Sequence, residues 1–119
     1  CLVNNRKVGT FYEEEAVRYL MSNGYTILER NYHNALGEID IIAKEDDVLV
    51  AVEVKFRTNQ TFGTPSEAVT VYKQKKISRT FLQYYVSHGY GEVSCRFDVI
   101  AIDGEGKIEH IKDAFYFIY

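Results

Sequence analysis

The sequence predicts an α/β domain, a mixed sheet flanked by helices, and three observations lead there. Apolar residues recur at helical spacing near the N-terminus and again after residue 65. Between and after those stretches valine and isoleucine alternate at period two. The resulting order, helix, three strands, helix, more strands, requires a strand–helix–strand crossover and therefore one parallel pair. The chain has 119 residues, 46% hydrophobic and 26% charged, with one proline. That is the size and make-up of one ordinary globular domain with a single core.

The first helix is expected from about Val8 to Ser22, with Asn23-Gly24 as its stop. Tyr12, Ala16, Val17, Tyr19 and Leu20 form one apolar arc. Of three consecutive glutamates, Glu13 falls inside that arc, Glu14 points away and Glu15 sits near its edge. A glutamate there either snorkels to water or is aimed at something. Tyr25 to Tyr32 reads as a strand and His33 to Leu36 as a short loop. Gly37 to Arg57, GEIDIIAKEDDVLVAVEVKFR, reads as a hairpin turning at Asp46-Asp47. Thr58 to Thr64 is a polar loop holding Gly63. Pro65 and Ser66 mark a second helix reaching about His88, stopped by Gly89. Along it Val69, Lys73, Ile77, Phe81 and Tyr85 lie on one row, while Lys75, Lys76 and Arg79 spread over more polar sides. Lys73 on that row either snorkels or meets a negative charge. Val93 to Asp103 is the next strand, parallel to the one before the helix, with Phe97, Val99 and Ala101 on one face and Arg96, Asp98, Ile100 and Ile102 on the other. Asp103 to Gly106 is a turn, Lys107 to Lys112 a last strand, and the aromatic Ala114–Tyr119 tail packs on the core.

The hairpin carries the chemistry. A two-residue loop pairs Glu45 with Val48 and Lys44 with Leu49, and counting back puts Asp40 opposite Glu53. Alternation places Glu38, Asp40 and Ile42 on one face of the first strand. On the second, Leu49, Ala51, Glu53, Lys55 and Arg57 share a face. Carboxylates facing each other in an apolar sheet repel, and a hard divalent cation between them removes the repulsion. Asp40, Glu53 and Lys55 thus suggest metal-assisted phosphodiester hydrolysis. Asp40 and Glu53 would hold Mg²⁺ or Mn²⁺, with the backbone carbonyl of Val54 as a further oxygen, and Lys55 would position water or stabilise the transition state. The alternative for these residues alone is a half-solvated face with a Glu–Lys pair.

Other chemistries lack their signatures. There is no phosphate loop, dinucleotide fingerprint or nucleophile elbow. His33, His88 and His110 stand on separate elements, and Cys1 and Cys95 have no ligand spacing. The absence of a signal pattern or membrane-length apolar run makes a reducing, cytoplasmic setting without membrane attachment the expectation. The net charge of −3 excludes a protein that coats nucleic acid through a basic surface, although a local basic patch remains compatible with it.

Taken together, Gly9 and Glu13 before Ala16, GEIDIIA at 37–43, VEVKFR at 52–57, Gly63, Pro65, Glu67-Ala68-Val69, Lys73 and RFDVI at 96–100 resemble the YraN-type family. That family is placed in the PD-(D/E)xK nuclease superfamily and is similar to archaeal Holliday-junction resolvases. The resemblance covers nearly the whole chain and implies one nuclease-like domain over 1–119 with a restriction-endonuclease-like core. It implies Asp40, Glu53 and Lys55 as the catalytic triad and Glu13 as a contributor to the metal site. Lys73 matches a second-helix position near the site, Glu38 a supporting position and Arg57 a phosphate contact. Lys75, Lys76 and Arg79 are further basic residues for a nucleic-acid backbone. The function expected is metal-dependent cleavage of structured or branched DNA in repair or recombination, by a homodimer if the two cuts of a junction are symmetric. The alternatives are a binding or scaffold protein that kept the fold, and a nuclease on single-stranded DNA or RNA.

Overall fold

The computed structural model describes residues 5–57 and 69–118, with side chains over 11–56 and 69–118. Helix α1 (Asn5–Ser22) is followed by β1 (Thr26–Asn34), β2 (Gly37–Glu45) and β3 (Val48–Arg57). Helix α2 (Val71–Ser87) comes next, then β4 (Ser94–Asp103) and β5 (Ile108–Phe115). The strands form one sheet in the order β1-β2-β3-β4-β5. Only the β3–β4 pair is parallel. The α/β class and the parallel crossover pair are therefore as the sequence predicts.

Each helix covers its own buried cluster. Ala16, Val17 and Leu20 of α1 pack with Ile41, Val50, Val52, Ile100 and Ile102. Ile77, Phe81 and Tyr84 of α2 pack with Leu49, Ala51, Phe97 and Val99. Successive residues of β3 and β4 thus go to opposite faces, which is why both strands read as near-continuous apolar runs.

Local chemistry sets the ends of the elements. The backbone N–H of Asn23 returns to Tyr19 and Leu20, Gly24 takes a φ of +87°, and α1 stops where Asn-Gly predicts. Its start at Asn5 precedes the expected Val8. β1 runs on through His33 and Asn34, where a loop is expected. The Asn34 carboxamide oxygen then accepts the Leu36 N–H at 2.9 Å and closes the turn. The Asp46-Asp47 loop forms as expected, with Asp46 at a φ of 53° and the pairs Glu45–Val48 and Lys44–Leu49 in place.

The second helix differs at its start. Pro65 and Ser66 lie outside the described residues, but Val69 and Thr70 precede the helix instead of belonging to it. The Thr70 hydroxyl accepts the Lys73 N–H at 3.1 Å and is the cap. On the buried face Tyr84 takes the place expected of Tyr85, which is only partly covered. β5 extends to Phe115, whose ring stacks on Phe97 at 4.9 Å, whereas Tyr116 is exposed. The aromatic tail therefore packs on the core at Phe115 and turns outward at Tyr116.

Gly37 matters for where α2 sits. A Cβ there would lie 2.9 Å from the Thr80 hydroxyl and 3.8 Å from the Lys76 Cβ, so the start of β2 runs directly beneath α2. Gly37→Ala is expected to cost about 1–3 kcal/mol in urea unfolding. In a Thr80→Ala background, where the obstructing hydroxyl is gone, the same substitution should cost clearly less. Equal costs in both backgrounds would show that the close approach is not the constraint.

Candidate functional site

The β2–β3 ladder ends at the pair Ile41–Val52, one step short of the expected Asp40–Glu53 pair. The reason is the Asp40 side chain, whose Oδ2 accepts the Val54 N–H at 2.8 Å and takes the place of a ladder bond. Alternation also slips there. Ile39 and Ile42 belong to the cluster beneath α2, while Ile41 and Ala43 belong to the one beneath α1. The expected common face of Glu38, Asp40 and Ile42 is thus broken, as an irregularity in a strand re-aims the residues around it. Asp40 and Glu53 still meet, as a side-chain pair where the two strands part. The Asp40 charge reaches Glu53 and helps to raise its pKa, so the two carboxyl groups act on each other's ionisation.

Glu53 is 5% exposed. Burial foremost, then the Asp40 charge, pushes its pKa up to about 7 against the pull of Lys73 and Lys55. Burial likewise raises Asp40, with the Val54 N–H and Lys73 opposing. The Lys73 ammonium reaches across from α2 to within 2.7 Å of Glu53 Oε1, and Lys55 stands 3.8 Å from the same oxygen. Burial lowers the Lys55 pKa and repulsion from Lys73 adds to the fall. Burial works the same way on Lys73, but the Glu53 carboxylate overrides it and the Lys73 pKa rises. The buried-row lysine therefore does meet a negative charge.

Glu13 approaches from α1. It is 9% exposed, and its Oε1 is buried with no hydrogen-bond partner among the described residues. Burial and then the Asp40 charge raise its pKa, so it feels the pair. Glu38 is exposed and adds negative potential to Asp40 and Glu13. The side chain of Arg57 lies outside the described residues. Lys76 borders the same groove as Lys73, whereas Lys75 and Arg79 are exposed on α2 away from that lining.

Among the described residues no three His, Cys, Asp or Glu side chains are gathered as metal ligands. A small hard cation needs fewer, since Mg²⁺ is commonly held by one or two carboxylates with water and substrate oxygens completing the shell. Asp40 and Glu53 supply two, and a lysine ammonium already sits against Glu53. The donor set fits such an ion.

A second polar cluster escaped sequence reasoning. Asp98, fully buried, receives Arg96 Nε at 2.9 Å and the Asp113 N–H at 3.0 Å, and faces His110 Nε2 at 2.8 Å. Tyr25 and Arg96 are hydrogen-bonded, Arg96 also holds Glu45 at 2.8 Å, and the Tyr19 hydroxyl meets His110 Nδ1 at 3.2 Å. His110 and Arg96 bring Asp98 below the usual carboxylate range despite its burial. The signal was there in part, in an Arg-x-Asp on the apolar face of a core strand. The histidine and tyrosines come from distant elements that no spacing connects.

The model of the uncharacterised protein family UPF0102 matches residues 12–102. A UPF0102 protein of Alkaliphilus oremlandii is 49% identical over 93% of this chain and 99% of its own length. That of Clostridioides difficile is 46% identical over 95% and 100%, and that of Sulfurihydrogenibium sp. 46% over 90% and 92%. Among solved structures, Pyrococcus furiosus SfsA in complex with Ca²⁺ aligns with 93% of this chain at 9% identity and a TM-score of 0.34, and this chain spans 64% of that one.

The raised Glu53 pKa makes stability depend on pH with a definite sign. The folded carboxyl keeps its proton to about pH 7 and the unfolded one loses it near its ordinary value of 4.5. Folding is therefore favoured by this group below the lower value, and that contribution is lost as pH rises through the upper one. Glu53→Gln should melt at a higher temperature than wild type at pH 8, with the difference shrinking towards pH 4. A constant difference across that range would contradict the raised pKa.

Proposed function

The chain belongs to the UPF0102 family, and we propose that it is a metal-dependent nuclease of the PD-(D/E)xK kind that hydrolyses phosphodiester bonds in structured or branched DNA. The observation that carries this reading is the buried Glu53 beside the half-buried Asp40, with two lysines against Glu53. Burial of carboxylates at the open end of a sheet costs stability, and a charge-handling role is what such a cost commonly accompanies.

Asp40 and Glu53 would hold Mg²⁺ or Mn²⁺, with Glu13 and the Val54 carbonyl as additional oxygens. When bound, such an ion lowers the pKa of water and screens charge on a phosphate. Asp40 is kept in orientation by the Val54 N–H, so one acceptor of the pair is fixed before anything binds. Lys55, with its pKa lowered, is half-desolvated beside the pair and offers N–H donors to a phosphate oxygen as negative charge builds there. Lys73 compensates Glu53 in the free protein and can turn to the same phosphate. Lys75, Lys76, Arg79 and Arg57 would follow the flanking backbone, with the steep salt dependence of phosphate contacts. The similarity to archaeal resolvases favours branched substrates and a two-fold dimer.

One observation favours a second reading. Lys73 already satisfies Glu53 at 2.7 Å, so the pair stands without an ion, as it would in a nucleic-acid-binding protein that does not hydrolyse. Cleavage assays with Mg²⁺ on duplex, flap, four-way junction and single-stranded DNA separate the two. The nuclease reading expects cutting that requires the ion, and a fall of about 10²-fold or more in Asp40→Asn and Lys55→Ala. Absence of cutting on every substrate, or cutting that survives both substitutions, would sink it.

A further inference from the structure

We propose that the groove between α2 and the β1–β2 turn is a binding site for an unpaired nucleobase, with the Tyr72 ring as its stacking platform. The inference rests on the nucleic-acid part of the reading above and not on hydrolysis. The groove holds about 560 Å³ and is lined by Tyr72, Lys73 and Lys76 on one side and His33, Gly37 and Glu38 on the other. That is within the size of ordinary small-molecule sites, roughly 300–1,000 Å³, and too small for a duplex. It opens beside the Asp40–Glu53 pair, because Lys73 both lines it and contacts Glu53.

Tyr72 and Tyr116 are the most exposed aromatic rings among the described residues, and of the two Tyr72 lines the groove. Burial of the ring would stabilise the fold, yet it is 71% exposed and has no aromatic neighbour among the described residues. The exposed Phe11, by contrast, packs edge-on against Tyr12, which itself stacks on Phe56. The Lys76 ammonium lies 5.5 Å from the Tyr72 ring centre, over one face. A ring so exposed has its remaining face free, and a base stacked there is worth about 1–3 kcal/mol. The bases of a duplex already stack on each other, so only a nucleotide outside the stack can use the ring.

Charge divides the groove in a matching way. Lys73 and Lys76 make the α2 wall cationic, and the first turn of α2 carries no acidic residue. That wall suits a phosphate. Glu38 places a carboxylate in the groove, which repels phosphate and accepts from the N–H groups of base edges. Gly37 lets the strand pass close beneath α2 and keeps the floor of the groove clear.

The test is fluorescence anisotropy with labelled oligothymidylate and a blunt duplex of equal length, in EDTA so that nothing is cut. Wild type should bind the single strand about tenfold tighter or more. Tyr72→Ala should lose roughly 5- to 150-fold on the single strand and little on the duplex, and Tyr72→Phe should keep wild-type affinity. Tyr72 is exposed, so the variants should melt as wild type does. Oligouridylate bound with the same dependence on Tyr72 supports the base site and makes RNA a second source of the nucleotide. The inference is overturned if wild type binds neither DNA, if Tyr72→Ala binds the single strand as wild type does, or if it loses equally on both. Failure to hydrolyse any substrate leaves it standing. Conversely, a Tyr72→Ala protein that cuts with unchanged substrate preference overturns it and leaves the nuclease reading intact.

Discussion

Glu53, buried, and Asp40, half-buried, meet where β2 and β3 part, and this carboxylate pair is the constraint around which this end of the molecule is built. Ionised side by side, Asp40 and Glu53 would repel in a poorly solvated place. The structure answers with raised pKa values for both groups, an N–H from Val54 to Asp40, and the Lys73 ammonium on Glu53. Each answer fixes something else. The Val54 bond ends the β2–β3 ladder, and the alternation of β2 slips at Asp40. Lys73 ties the first turn of α2 to the sheet. A buried charged group costs several kcal/mol, whereas each buried leucine or isoleucine contributes about 1.5–3 kcal/mol. The apolar clusters on both faces are large enough to offset such a cost.

Asp98 makes the contrast plain. It is as deeply buried as any carboxylate in the chain, but both its oxygens are engaged, and its charge is stabilised by Arg96 and His110. That is how a structural carboxylate is kept ionised. Glu13 and Glu53 go the other way, with raised pKa values, and Glu13 Oε1 has no hydrogen-bond partner among the described residues. Polar groups left in that condition are the ones with capacity for something further, which is the physical ground for locating the site at Glu53 instead of Asp98.

Much of this was legible in the sequence because it follows from periodicity. The two-residue loop fixed the hairpin register, and period two put Glu53 and Lys55 together. Helical spacing singled out Glu13 from three glutamates and Lys73 from its neighbouring lysines. What escaped depends on side-chain bonds that spacing does not encode. The break at Asp40 arises from one carboxylate bonding one backbone N–H. The start of α2 is set by the Thr70 hydroxyl, although Pro65-Ser66 also reads as a helix start. The Asp98 cluster joins α1, β4 and β5 through residues far apart in the chain. Tyr72 was hidden among many tyrosines, and only its exposure separates it from those that pack.

The central proposal is that the Asp40–Glu53 pair, whose carboxyl pKa values are raised in the free protein, takes up a divalent cation. Calorimetric titration with Mn²⁺ near pH 7, in two buffers of different ionisation enthalpy, tests it most directly, since metal binding to a protonated site must release the proton. The account predicts binding with heats that differ between the buffers, and loss of binding in Glu53→Ala. Heats identical in both buffers, or a Glu53→Ala protein that binds Mn²⁺ as wild type does, would contradict it.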